Sequence, residues 1–247
     1  MAYLEAGPRD SLALARDVLG IARAARTVAE RLAEALLGSD ARVTRIADGR
    51  WCLAGEGASP PLPSCRFAVV DVETTGWSLT RGGRIIEVAV VRCADGRAET
   101  AFEGLVDPEG PVAPAVMALT GIAPRDLAGR PAFAGVADQV LDALLGAVFV
   151  AHNVRFDWTF VASELRAARG ILLGGPRLCT LRLSRRLLPG LDSRGLDAVA
   201  RALGVRIEGR HRAGGDARAT AQVLLRLLDL AREAGARTLA DLATVRA

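Results

Sequence analysis

Apolar residues in the first part of the chain recur at helical spacing, whereas those in the middle come in short, nearly unbroken runs. From Ser11 to Leu37 the spacing predicts one helix, with Leu12, Leu19, Ala22, Val28, Leu32 and Leu36 available as its apolar stripe. Val43-Thr44-Arg45-Ile46, a turn at Asp48-Gly49 and Trp51-Cys52-Leu53 then predict a short β-hairpin. Gly55 to Ser64, with Pro60, Pro61 and Pro63, reads as a stiff linker and the best domain boundary. Residues 1–60 are therefore expected to form a helix-plus-hairpin accessory unit, and residues 61–247 the main domain.

In the main domain the period changes. A β-branched run ending at Val72 predicts a first strand, followed by glycine turns at Gly76 and Gly82-Gly83. Arg84 to Arg92 and Ala98 to Val106 predict two more strands, joined by the Asp95-Gly96 turn. Pro114–Leu119 and Phe133–Leu145 read as helices, Ala147–Ala151 as a fully buried fourth strand, and Phe156–Ala168 as a helix. An extended piece near Leu178 and helices at Leu181–Leu188, Gly195–Leu203 and Gly215 to about Glu233 complete the pattern. A three-strand meander followed by alternating helices and strands implies an α/β fold, a mixed sheet with helices on both faces.

Composition narrows the class. The chain has 247 residues, of which 51% are apolar, enough for one full α/β core and against global disorder. Net charge is +4 and the pI about 9.3, compatible with a polyanionic partner. Every basic side chain is arginine; beside the abundant alanine, leucine and glycine this looks like genome bias, so it does not by itself signal phosphate binding. Distribution says more: ten arginines face four acids from Arg177 to Arg218, while residues 1–60 carry eight of each, which puts any electrostatic footprint on the C-terminal half. The four cysteines lack zinc-ligand spacing, the N-terminus lacks a signal-peptide pattern, and no apolar run is long enough to span a bilayer. A cytoplasmic protein with no membrane partner is expected.

The candidate chemistry lies in three segments. Alternate strand residues share a face, so Asp71 and Glu73 project together from the end of the first strand. Two such carboxylates repel unless a cation lies between them, although acids at an exposed strand end also occur by chance. Thr74, Thr75 and Gly76 let the chain turn with backbone N–H groups free for a phosphate. His152 and Asn153 follow the fourth strand directly, where α/β sheets place their sites; Asn153 is expected to cap the next helix and Asp157 to be a metal-ligand candidate. His211 stands between glycines, exposed as a base that must reach water would be, and Asp216 opens the last helix. A solvated surface histidine and a helix N-terminal acid are the plainer readings of that pair.

Taken together, the segments resemble the DEDDh 3′–5′ exonucleases, the family of the proofreading epsilon subunit of bacterial DNA polymerase III. Its motif Asp-x-Glu-Thr-Thr-Gly is matched by Asp71 to Gly76, His-Asn-x-x-Phe-Asp by His152, Asn153, Phe156 and Asp157, and His-x-x-x-x-Asp by His211 and Asp216. Arg84-Ile85-Ile86-Glu87 and Leu119-Thr120-Gly121-Ile122 agree as well, and the resemblance covers about residues 66–235.

The resemblance implies an RNase H-like five-stranded mixed sheet. It further implies two divalent ions, Mg²⁺ or Mn²⁺, on Asp71, Glu73, Asp157 and Asp216, with His211 as the base. Thr74, Thr75, Gly76, Leu119, Thr120, His152, Asn153 and Phe156 would surround the terminal nucleotide. Phe156 reads equally as core, and Trp77 either as a base-stacking surface or as a lid on the core. The expected partners are nucleic acid with a free 3′ end, DNA first, and a DNA polymerase or another replication or repair protein. Both glutamines, Gln139 and Gln222, fall in predicted helices, so the clamp-binding motif of replicase epsilon subunits is not evident. An exoribonuclease or oligoribonuclease-like enzyme is the alternative, and a non-catalytic scaffold for nucleic acid or a polymerase is a third reading.

Overall fold

The computed structural model describes residues 2–5, 7–38, 40, 42–45, 49–53 and 59–246. The chain forms two compact units, one running to Pro61 and including Thr238–Ala240, the other Leu62–Arg237 with Asp241 onward.

The smaller unit holds α1 (Ala2–Glu5), α2 (Ser11–Asp17), α3 (Arg26–Leu37), β1 (Val43–Arg45) and β2 (Trp51–Leu53). Asp10 caps α2 by accepting the Ala13 N–H at 2.7 Å. The single helix expected over Ser11–Leu37 is in fact two. Gly20 takes a left-handed φ of 69°, and the break resets the helical phase. Leu19, Val28 and Leu36 of the expected stripe are exposed, while Leu14, Ala15, Ala29 and Ala33 are buried. Leu4, Leu14, Ala33, Val43 and Trp51 form the small core. β1 and β2 pair antiparallel, Val43 with Leu53 and Arg45 with Trp51; Ile46 and Asp48 of the expected hairpin lie outside the described residues.

In the larger unit come β3 (Phe67–Thr74), β4 (Ile85–Ala94), β5 (Arg97–Leu105), α4 (Pro114–Thr120), α5 (Pro124–Leu127), α6 (Phe133–Leu144) and β6 (Val148–Ala151). These are followed by α7 (Val154–Arg169), β7 (Arg177–Cys179), α8 (Thr180–Leu187), α9 (Leu196–Ala202) and α10 (Ala213–Glu233). The five strands lie in the order β5-β4-β3-β6-β7, antiparallel from β5 to β3 and parallel from β3 to β7. This is the mixed sheet the periodicity predicts.

Period-2 alternation on β3 sends Ala68, Val70 and Val72 into one core, with Val136 and Val140 of α6 and Val161 and Leu165 of α7. Val69, Asp71 and Glu73 face the other way, toward α10, which packs on β3 and β4. Ala217, Ala221 and Leu224 of α10 are fully buried there. β3 is thus apolar on both faces until its last four residues, where carboxylates begin. Cys93 and Cys179 carry free thiols. Among the described residues, no helix is long and apolar enough to cross a membrane.

Candidate active site

Carboxylates converge where β3 ends against the N-terminus of α10. Oxygen atoms of Asp71, Glu73 and Asp216 lie within 4.8 Å of one another. Asp157, in the first turn of α7, reaches the same strand end and accepts the Val72 N–H at 3.2 Å. Burial raises all four proton affinities, and repulsion from neighbouring carboxylates adds to it at Asp71, Glu73 and Asp157. Asp71 is raised well above the ordinary carboxylate range, by desolvation and then by Asp157, Asp216 and Glu73. Desolvation first pushes Glu73 and Asp157 each to about 7, and it also raises Asp216. Asp216 is buried and Asp71 half-buried.

The donor set suits a hard divalent cation. Oxygen ligands from several carboxylates match Mg²⁺ or Mn²⁺ rather than a softer metal. One atom makes the case specific: Asp216 Oδ1 is buried without any hydrogen-bond partner. A buried carboxylate oxygen left bare is costly unless a cation reaches it. Its sister Oδ2 is occupied, by the Arg210 guanidinium and by the His211 N–H at 3.2 Å. Arg210 also grips Asp197 of α9 through Nε, at 3.0 and 3.1 Å.

His211 sits half-buried at this cluster with a φ of 59°. A left-handed conformation at a non-glycine residue costs on the order of 1–3 kcal/mol and needs its surroundings to enforce it. Its Nδ1 faces Arg210 Nη1 at 3.4 Å. A guanidinium only donates, so Nδ1 is the acceptor in this pair.

The other expected site residues divide into three groups. Thr74 is buried and its hydroxyl donates to the Gly76 carbonyl at 2.8 Å. Thr75 accepts the Arg84 N–H on its hydroxyl and donates its own N–H to the Arg84 carbonyl, closing the turn after β3 onto the start of β4. Beyond that turn lies a groove of about 970 Å³ lined by Thr75, Gly76, Trp77, Arg81, Arg84 and Pro111. Leu119 is 39% exposed at the end of α4, whereas the Thr120 hydroxyl is spent locally, donating to the Val116 carbonyl and accepting the Ile122 N–H. Phe156 is half-buried, 4.9 Å from the core ring of Phe160 and 6.5 Å from the exposed ring of Trp77. It packs on the core from the surface.

His152 and Asn153 differ from expectation. Both His152 ring nitrogens are used inside the protein, Nε2 on the Arg194 carbonyl at 2.8 Å and Nδ1 on Thr180 Oγ1 at 3.0 Å. The carbonyl can only accept, so Nε2 carries the proton; burial lowers the ring's pKa and favours that neutral form. Asn153 occupies the N-cap position of α7 but its side chain makes no capping bond and is exposed. The capping role expected for it is not found; its ψ of 71° leaves the usual extended cap geometry.

Two buried glutamates were given no role by sequence reasoning, although Glu87 closes the Arg84–Glu87 segment noted there. Glu164 of α7 takes the Arg84 guanidinium at 2.7 and 3.2 Å and the Ile85 N–H at 3.4 Å. Glu87 of β4, 2% exposed, binds Arg212 and the Ala213 N–H. A glutamate inside a strand as apolar as Ile85–Val91 was the available signal, since a lone acid there must have a partner.

A carboxylate cluster with a bare buried oxygen, at the end of a mixed sheet, defines a candidate metal-dependent hydrolase. Comparison with known proteins makes the family definite. Residues 68–224 match the exonuclease family of the RNase T type, and the chain belongs to this DnaQ-like 3′–5′ exonuclease family. It is 36% identical over 168 residues to the 3′–5′ exonuclease DinG of Bacillus subtilis (strain 168), covering 68% of this chain and 18% of that protein. The DNA polymerase III subunit epsilon-like protein of Rhodobacter capsulatus is 38% identical over 186 residues, covering 73% of this chain and 26% of its own length. Exonuclease X, solved with 5′ overhanging duplex DNA, superposes with a TM-score of 0.52 at 29% identity, over 67% of this chain and 91% of that one. The resemblance read from the three motifs is borne out at the level of family and fold. The chain spans only about a fifth to a quarter of the length of those two longer relatives.

Proposed function

We propose that the chain is a metal-dependent 3′–5′ exonuclease that releases nucleoside 5′-monophosphates from DNA 3′ ends. Its setting is proofreading or repair, beside a DNA polymerase or another replication or repair protein. The observation that carries the reading is the convergence of Asp71, Glu73 and Asp216 around the unpartnered Oδ1 of Asp216. Two divalent ions, Mg²⁺ or Mn²⁺, held by these acids and Asp157, would supply an acidified water and a Lewis acid for the departing 3′ oxygen.

The chain's own residues then have distinct tasks. His211 takes the proton of the attacking water. While Arg210 faces Nδ1, the ring's one lone pair is engaged; becoming a base requires Arg210 to pass to Asp197 or to a substrate phosphate. Thr74, Thr75 and Gly76 shape the turn beside the terminal nucleotide, Leu119 and Phe156 offer it apolar contact, and Trp77 offers a stacking surface along the groove. His152 and Thr120 support the wall from behind, their polar atoms being already engaged. DNA is favoured because the relatives include an epsilon-like polymerase III protein and the exonuclease X complex holds duplex DNA.

The test uses 5′-labelled single-stranded DNA and RNA of one sequence, incubated with Mn²⁺ or EDTA. Stepwise shortening of DNA from its 3′ end with Mn²⁺ alone is expected. Faster shortening of the RNA would move the enzyme to exoribonucleases, and binding without cleavage would make it a scaffold.

A further inference from the structure

Glu87 lies across the sheet from a member of the acid cluster, yet its surroundings are of the opposite kind. In the β3–β4 register Glu73 and Glu87 are direct partners, so both side chains leave the same face of the sheet. Glu73 points into the cluster. Glu87 is saturated: Oε1 accepts Arg212 Nη2 at 2.6 Å, and Oε2 accepts Arg212 Nε at 3.1 Å and the Ala213 N–H at 2.8 Å. Those donors are the N-cap residue and the first residue of α10. One buried carboxylate therefore caps the helix that carries Asp216 and fixes the residue that follows His211.

The loop is held from its other side too. A Cβ on Gly215 would meet the Gly209 and Glu208 carbonyl oxygens at 2.1 and 2.3 Å, so the chain before His211 lies directly against the first turn of α10. Between these two anchors His211 is confined to its left-handed φ. A positive φ is uncommon even for histidine, and here the anchors act together with the His211 N–H bond to Asp216 Oδ2.

Resting on the exonuclease reading above, we propose that Glu87 is a positioning residue: through Arg212 and the Ala213 N–H it aims His211 at the acid cluster, without itself holding metal or substrate. Replacing Glu87 loosens the aim of the imidazole and removes none of the four cluster acids. The rate is then lost in kcat, on the order of 10–100-fold, the scale on which misplacing a reacting group by about 1 Å acts. KM and Mn²⁺ affinity stay within about twofold of wild type, on the order of the scatter expected for a site left intact.

The two histidines of the chain provide a direct readout. In the full-length protein, imidazole NMR signals of wild type and Glu87→Gln are compared, with Mg²⁺ present and His211→Ala used for assignment. The His211 signals are expected to move or broaden while those of His152, which is held by Thr180 and Arg194, stay in place. In the kinetic arm, Glu87→Gln should add little to the loss already caused by His211→Ala, because both act through one group. Unchanged His211 signals, a loss confined to KM or Mn²⁺ affinity, or losses that multiply in the double variant would each overturn the proposal. If Glu87→Gln does not fold, Arg212→Gln removes the half-exposed partner and must give the same pattern. A wild type that cleaves nothing would count against the exonuclease reading, while the NMR comparison would still decide the positioning.

Discussion

Two sets of acids lie within one sheet-and-helix framework and are treated in opposite ways. Glu87 and Glu164 are each buried with an arginine fork and a backbone N–H, so no carboxylate oxygen is left bare. Asp71, Glu73, Asp157 and Asp216 gather at one strand end, Arg210 offsets only part of the charge of Asp71, Glu73 and Asp216, and Asp216 Oδ1 is left unpartnered. The first set fastens elements together. The second set is strained in the isolated chain, and its repulsion becomes useful only when a cation enters. Burial of an acid says little about its role until its partners are counted.

The largest expected effect breaks the second set. Asp71→Asn should cut nuclease turnover by about 10³-fold, since losing one ligand removes several kcal/mol of transition-state stabilisation. The same change should raise the melting temperature of metal-free protein, because it removes an acid that folding penalises by desolvation and by repulsion from its neighbours. Single-turnover cleavage and thermal unfolding in EDTA check the two halves. A variant that loses stability instead would place Asp71 with the fastening acids.

Next in size, Arg84→Met leaves Glu164 buried without its fork. A loss of roughly 3 kcal/mol is expected, the low end for a broken buried pair because Arg84 is itself partly exposed. Urea unfolding measures it. Stability within error of wild type would show that the Ile85 N–H alone satisfies Glu164.

A smaller effect follows from pH. Glu73 and Asp157 keep protons in the native, metal-free protein up to about 7, whereas the unfolded chain releases them near ordinary carboxylate values. The native state thus binds more protons in between, and stability falls as pH rises through that window. Exposed acids such as Asp17 and Asp138 are shifted the other way, and their contribution is already complete above pH ~5. In EDTA the melting temperature should therefore decline from pH 5.5 to pH 8. A rising curve would contradict the repulsion assigned to the cluster.

Much of this was legible in the sequence. The sheet could be read because β3, β4 and β6 are β-branched runs with turn residues between them, and the acid positions because the three motifs sit at strand or helix ends. What could not be read depended on partners distant in the chain. The helix break at Gly20 was hidden because an isolated glycine within an alanine- and leucine-rich run looks tolerable. Nothing near His152 foretold that Thr180 and Arg194, 28 and 42 residues away, take both ring nitrogens. Glu87 and Arg212 are 125 residues apart, so their pairing belongs to the fold and not to any local pattern.

Whether the acid cluster holds a metal ion is decided by calorimetric titration of Mn²⁺ into EDTA-stripped protein at pH 7. Wild type should bind the ion with release of protons, read as a dependence of the heat on the buffer, because acids with pKa values of about 7 must lose their protons to become ligands. Asp71→Asn should bind far more weakly. Absence of binding heat and of any thermal stabilisation at millimolar-scale Mn²⁺ in the wild type would contradict the claim that this cluster is a metal site.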